Sequence, residues 1–204
     1  MNEPAATLLR SEFDVLTIGH SNLPAERFMG LLTSAGVTAI ADVRSVPFSR
    51  RYPWFSAKTL AARLRGAGIA YLPLGEILGG RPRDPGLYRD GVADYEKMAA
   101  TPQFKAGLDQ VGEMRGRFCL CLMCAEREPL DCHRCLLVGR ALAERGFELG
   151  HILVDSTIEP HVTTEERLLA QAGGGSDDLF ATHAERLAAA YRRRAGRVAA
   201  QLKT

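Results

Sequence analysis

No apolar run in this 204-residue chain approaches the roughly 18 residues needed to span a bilayer. A membrane-spanning protein is therefore not expected. The chain also lacks a basic N-terminal stretch leading into an apolar segment, since Glu3 precedes only a short apolar run ending at Leu9. A secretory leader is not expected, and a cytoplasmic address is. Thiols stay reduced there, which argues against a disulfide framework. Internal repeats are missing, and no low-complexity tract stands outside the C-terminal segment. Net charge is only +2, so the chain as a whole is no obvious polyanion binder.

The charge that is present is unevenly placed. Arg50, Arg51, Arg63, Arg65, Arg81, Arg83 and Arg89 crowd one stretch, and Arg192, Arg193, Arg194 and Arg197 another. A local basic face attracts phosphates even at low net charge. Apolar residues make up 46% of the chain and charged ones 25%, as in an ordinary globular protein.

Short β-like runs alternate with amphipathic windows. Strands are predicted at 13–18, 37–43, 69–74, 118–123 and 151–154. Helices are predicted at 24–35, at 56–66 behind an N-capping Ser56, at 94–114 with a break at Pro102, and at 132–146. A Gly/Pro/Arg-rich loop fills 75–91. This repetition predicts a three-layer Rossmann-like α/β domain with a mostly parallel central sheet over residues 1–172. Residues 173–204 read as a flexible linker, Gly173 through Asp178, and a basic helical tail at 181–202.

In an open parallel sheet, ligands bind outside the carboxyl ends of the strands. Three polar clusters fall there: Gly19-His20-Ser21, Asp42-Val43-Arg44-Ser45 and Cys124-Ala125-Glu126. The third runs on to Cys132-His133-Arg134 at a predicted helix start, where backbone N–H groups favour an anion and lower a thiol's pKa. Thiolate, carboxylate and imidazole together suit covalent or acid–base catalysis. Catalytic candidates are accordingly His20, Cys124, Glu126, Cys132 and His133. Substrate-binding candidates are Ser21, Asp42, Arg44, Tyr88 and Arg134. The same residues also have plainer readings: Cys124 and Cys132 as small buried hydrophobes, His20 as a turn residue, Asp42 and Arg44 as ion-pair partners.

All five cysteines lie between Cys119 and Cys135. The pairs Cys121-x-x-Cys124 and Cys132-x-x-Cys135 invite zinc or iron. The seven residues between the pairs are too few for a zinc ribbon, and Cys121 sits inside a strand. No metal or cofactor is therefore assigned with these as the default ligands, and Cys121, Cys124, Cys132 and Cys135 are the set to examine. Arg50, Arg51, Arg81 and Arg83 interleave with Tyr52, Trp54, Phe55 and Tyr88, which suits a nucleotide or single-stranded nucleic acid, or equally a solvated loop. His151 reads as a packing residue and His161 is left open. The Arg192–Arg197 run reads as a solvated helix face.

The motifs Thr17-Ile18-Gly19-His20-Ser21, Asp42-Val43-Arg44 with Pro47, Leu74-Gly75, and Cys124-Ala125-Glu126 with Cys132-His133-Arg134 resemble the bacterial and archaeal domain of unknown function family DUF488. Tyr88, Asp94-Tyr95 and Phe104 also fit, and the resemblance spans roughly residues 15–161. It implies a three-layer α/β domain of Rossmann-like type and candidate functional positions at His20, Asp42, Arg44, Cys124, Glu126, Cys132, His133 and Arg134. It supplies no activity. Cys119, Cys121 and Cys135 are outside the pattern. Leu179-Phe180 keeps the end of a sliding-clamp-binding peptide but lacks its Gln, so clamp binding is not expected. Three readings follow: an enzyme, a hydrolase or transferase, acting on a phosphate-bearing substrate such as a nucleotide or nucleic acid; a non-catalytic nucleotide- or nucleic-acid-binding module; and a thiolate metalloprotein.

Overall fold

The computed structural model describes residues 12–173 and 181–201. Strand β1 (Val15–Gly19) leads through helix α1 (Ala25–Ser34) to β2 (Ala39–Asp42), and α2 (Ala57–Gly66) leads to β3 (Ala70–Pro73). There follow α3 (Gly75–Leu78), a hairpin of β4 (Tyr88–Arg89) and β5 (Val92–Ala93), then α4 (Tyr95–Ala100) and α5 (Pro102–Arg115). Next come β6 (Leu120–Cys124), a π-helical turn (Arg134–Gly139) continued by α6 (Arg140–Ala143), β7 (Leu149–Ile152), β8 (Ile158–Pro160), α7 (His161–Gln171) and α8 (His183–Gln201).

The predicted three-layer α/β architecture with a mostly parallel sheet is what the structure has. Strand order is β3-β2-β6-β1-β7-β8, parallel except for β8, which runs antiparallel to β7 at one edge. Because β6 is buried on both faces, it reads as a continuous apolar run, Leu-Cys-Leu-Met-Cys, with no alternation. Strand periodicity still sorts its side chains. Leu16, Ile18, Ile40, Cys121 and Met123 face α1 and α2. Val15, Ala41, Leu122 and Cys124 face α4, α5, the π turn, α7 and α8.

Several elements escape the sequence reading. The 75–91 loop contains α3 and the β4–β5 hairpin, which turns at Asp90-Gly91 with φ of 51° and 72°, the left-handed pair that an Asp-Gly hairpin turn requires. The expected helix at 132–146 begins as a π turn, so Cys132 precedes a wound segment but does not cap a regular α-helix. Edge strand β8 is short and ends in Pro160, a residue that only an edge strand tolerates. The basic tail helix α8 presents Arg192, Arg193 and Arg197 to solvent. Its other face buries Ala190, Tyr191, Val198 and Ala199 in the larger core. Of the linker at 173–178 only Gly173 is described; Leu179 and Phe180 lie outside the described residues.

What matters for the site is the slot that β6 fills. The chain leaves β1 and crosses one empty position to β2; β6 later enters that position. Beyond β1 it departs toward the α1 face, and beyond β6 toward the opposite face. The departures diverge above neighbouring strands, which is the condition for a ligand crevice. The carboxyl ends of β2, β6 and β1 stand side by side, with Gly19 opposite Cys124 and Asp42 opposite Met123.

Segment α3 closes over the same rim. A Cβ at Gly75 would lie 1.9 Å from the Arg44 carbonyl oxygen, so only glycine allows this approach. Gly75→Ala is expected to cost about 1–3 kcal/mol in urea unfolding. Gly30→Ala, on an open face of α1 with nothing within 4 Å of its Cβ, is expected to add up to about 1 kcal/mol. An unchanged urea midpoint for Gly75→Ala would refute the close packing of α3 on Arg44.

Candidate functional site

At the end of β2, Asp42 and Arg44 form a buried two-pronged pair: Arg44 Nε donates to Asp42 Oδ1 at 2.8 Å and Nη2 to Oδ2 at 2.6 Å. Tyr71 from β3 donates to the same carboxylate at 2.7 Å. The remaining arm of Arg44, Nη1, lies 3.2 Å from His20 Nε2, while His20 Nδ1 lies 2.9 Å from the Ser21 carbonyl. The carbonyl can only accept, so Nδ1 carries the proton and Nε2 accepts from the guanidinium. His20 also stacks on Phe55 at 4.1 Å. Burial, and next the Arg44 charge, lower its pKa to about 4. His20 is thus a neutral ring with both nitrogens engaged, shaped to hold Arg44.

Beside it the end of β6 builds a denser knot. Glu126 Oε2 lies 3.2 Å from Cys124 Sγ and 3.1 Å from Cys132 Sγ. His133 Nδ1 lies 3.6 Å from Cys124 Sγ and 4.0 Å from Cys132 Sγ, and its Nε2 donates to the Val43 carbonyl at 2.9 Å. The Arg134 backbone N–H points at Cys132 Sγ from 3.4 Å. Burial raises the Cys132 thiol, but the Cys124 hydrogen bond, the Arg134 guanidinium and His133 together overcome it and hold Cys132 well below its usual value. Cys124 is pushed well up, by burial first and then by Cys132. Glu126 is raised by burial and by Cys132. Burial also pulls His133 down, and the Cys132 hydrogen bond and charge more than reverse it, leaving the ring raised. The four groups lie within hydrogen-bonding distance of one another and titrate as a unit.

Arg134, 1% exposed, is the strut beneath them. Its Nη1 donates to the Glu126 carbonyl at 2.6 Å, Nη2 to the Arg127 carbonyl at 2.9 Å, and Nε points to Thr17 Oγ1 at 3.4 Å. The Glu126 carbonyl sits where a Cβ of residue 19 would be, 1.7 Å from that position, so Gly19 is what lets the loop dock on β1. From Thr17 a buried chain continues: Thr17 Oγ1 to His151 Nδ1 at 2.7 Å, His151 Nε2 to His161 Nδ1 at 2.9 Å, His161 Nε2 to the Tyr191 hydroxyl at 3.0 Å. Tyr191 then donates to Glu165 at 2.9 Å. Burial, then the charges of His161 and Arg134, lower His151 well below its usual value; burial lowers His161 to about 4. In the same core, the buried Tyr95 hydroxyl has no hydrogen-bond partner among the described residues. Its ionisation is pushed up by burial and then by Cys132, Cys124 and Glu126.

A cavity of about 530 Å³ opens above the crevice. His20, Ser21, Arg44 and Glu126 form its inner wall, and Arg51 and Arg127 its cationic mouth. Arg127 Nη2 donates to Asn22 across the β1 and β6 loops at 2.6 Å. Phe48 and Tyr52 also line the mouth; Phe48 is 65% exposed.

The predicted residues therefore divide. His20, Ser21, Arg44 and Glu126 reach the cavity; Asp42 stands behind Arg44. Cys124 and Cys132, 3% and 1% exposed, lie behind Glu126 with His133. Arg134 does not reach the cavity, because its donors are spent on two loop carbonyls and Thr17. Tyr88 lies on β4 and donates to the Pro82 carbonyl, away from the cavity lining. The four-cysteine set does not converge: Cys121 faces α1 and α2 across the sheet, and Cys135 groups with His151 and His161. Sequence reasoning named Thr17 and Tyr95 in motifs without giving either a role, and gave none to Glu165, Tyr191, Asn22 or Arg127. Arg127 adjoins the Cys-Ala-Glu motif and was within reach of a motif reading. Tyr191 and Glu165 carry no local signal, because long-range packing alone brings them in.

The family model described as Domain of unknown function DUF488 matches residues 24–141, more than half of the chain. No curated protein and no solved structure matches it.

The buried neutral histidines set a pH dependence. A ring whose folded pKa lies below its unfolded value contributes stability that is present above about 6.5 and lost as pH falls toward the folded value. For His20 and His161, lowered from 6.5 to about 4, the full effect is on the order of 3 kcal/mol per ring across that window. His133, raised, has the opposite sign: its contribution is present below 6.5 and lost as pH rises through its folded value. Urea stability is expected to fall from about pH 6.5 to about pH 4, less steeply in His20→Gln. A slope in His20→Gln equal to wild type would show that the folded ring already carries its charge.

Proposed function

We propose that this chain, which belongs to the DUF488 family, is a hydrolase or transferase acting on a phosphate-bearing substrate, a nucleotide or nucleic acid, held in the crevice above β1 and β6. The observation that carries the reading is the cavity itself: one carboxylate of raised pKa, Glu126, stands at its inner wall beneath two cationic arms, Arg51 and Arg127. Arg51 lies over the Tyr52 ring at 5.5 Å. A guanidinium backed by an aromatic face offers both a phosphate partner and a stacking surface.

Roles follow from what each group has left to give. Arg44 has three of its nitrogens bound to Asp42 and His20, so it contributes a fixed inner wall more than a free anion clamp. Arg51 and Arg127, both exposed, are the phosphate-binding groups in this reading. Glu126 is the acid–base group, since burial moves its titration toward neutrality, where proton transfer in both directions is effective. Cys124 and Cys132 act on Glu126 from behind and do not meet the substrate.

Arg51→Ala and Arg127→Ala are each expected to weaken a nucleoside monophosphate, or a short single-stranded oligonucleotide, by about tenfold in calorimetry, roughly 1.4 kcal/mol. Binding should also fall with added salt. Glu126→Gln is expected to keep binding within about twofold while abolishing turnover on a panel of phosphomonoesters and phosphodiesters. Wild-type affinity in both arginine variants would overturn the substrate class. Binding without turnover on any of the panel in the wild type would leave a non-catalytic binding module in place of an enzyme.

A further inference from the structure

We infer that Cys124 Sγ, Cys132 Sγ and His133 Nδ1 form a zinc(II) site whose fourth position faces Glu126. The three ligand atoms lie within 4.8 Å of one another, all on buried residues. A tetrahedral zinc with Zn–S of about 2.3 Å and Zn–N of about 2.0–2.1 Å sets its sulfur and nitrogen ligands about 3.6 Å apart. The two S···N separations here are 3.6 and 4.0 Å. Two sulfurs and an imidazole are the donor set that zinc takes in preference to magnesium or calcium.

The surroundings are those of ligands held ready for a metal. His133 Nε2 donates to the Val43 carbonyl, which fixes the tautomer and turns the Nδ1 lone pair toward the thiols. The Arg134 backbone N–H points at Cys132 Sγ, an arrangement that supports a thiolate. Two thiolates neutralise a divalent ion, so the occupied site would bring no net charge into the interior. Glu126 Oε2 is 3.1–3.2 Å from both sulfurs, on the cavity side of the site. Tyr95, in the same apolar core as Cys124 and Cys132, brings a second observation: its buried hydroxyl has no hydrogen-bond partner among the described residues.

The second group of ligand-type residues among the described residues, Cys135, His151 and His161, does not compete. Every ring nitrogen there is already bonded in the chain from Thr17 to Tyr191. At the proposed site, by contrast, the only hydrogen-bond partners of His133 Nδ1 among the described residues are the two thiols themselves.

Three protein ligands leave zinc one position for water and lower that water's pKa toward neutrality. If the hydrolytic reading above holds, Glu126 would receive the proton that this water releases. The metal itself is tested without any assay of turnover.

Protein purified without chelator is expected to contain about one equivalent of zinc by elemental analysis. Chelated protein titrated with cobalt(II) is expected to show tetrahedral ligand-field bands and a thiolate charge-transfer band whose intensity corresponds to two sulfurs per ion, a readout that needs no variant. Both signals should vanish in Cys132→Ser and His133→Ala and persist in Cys121→Ser and Cys135→Ser. Wild-type protein that stays at background zinc after reconstitution sinks the site. So does a cobalt spectrum that survives Cys132→Ser, or one lost only in Cys135→Ser, which would put the ion between Cys135, His151 and His161. Failure of the phosphate-binding test with a full complement of zinc would refute the substrate and leave the metal standing.

Discussion

A guanidinium sealed inside a protein has to spend its donors on fixed acceptors, and Arg134 spends them on the loop that borders the candidate site. Its two terminal nitrogens hold the carbonyls of Glu126 and Arg127, which fixes one residue facing the thiols and another reaching the cavity mouth. Its charge lowers Cys132. Its third donor meets Thr17, and through Thr17 the histidine chain. Losing the cation would leave buried carbonyls unsatisfied, each a penalty of about 1–3 kcal/mol. The site is thus built outward from a residue that never touches the cavity.

That inversion marks the limit of what the sequence discloses. The rim clusters were legible, because strands in a parallel sheet end in residues that differ sharply from their apolar runs: Gly19-His20, Asp42-Val43-Arg44, Cys124-Ala125-Glu126. Strand parity was legible as well, for Cys121 and Cys124 are three apart and must face opposite sides of the sheet. Hidden was the division of labour. An arginine beside a histidine and a cysteine in the sequence suggests an anion clamp, and only the three-dimensional arrangement reveals that its nitrogens point inward at loop carbonyls. The Arg44 partner of His20 was hidden in the same way, since it becomes visible only when β2 stands near β1.

The last helix had the weakest signal of function and acquires a definite task. Its arginine-rich face remains at the surface, where Arg194 pairs with Asp131 and Arg192 with Glu96. Composition registers that face and overlooks Tyr191 on the other. Tyr191 closes the hydrogen-bond chain that starts at Arg134, so α7 and α8 are tied by polar contacts to the same residue that orders the rim.

The placement of β6 also says something about the order in which the molecule assembles. Gly19 pairs with Cys124, a contact across about a hundred residues, so the central sheet has a high contact order and is expected to form slowly. As the chain emerges during synthesis, β1 and β2 exist long before their shared neighbour. Their facing edges stay unpaired until β6 arrives, and unpaired edges are where chains stick to one another. The crevice that holds the candidate site is therefore a seam that stays open until β6 has been made, and its residues come together only then.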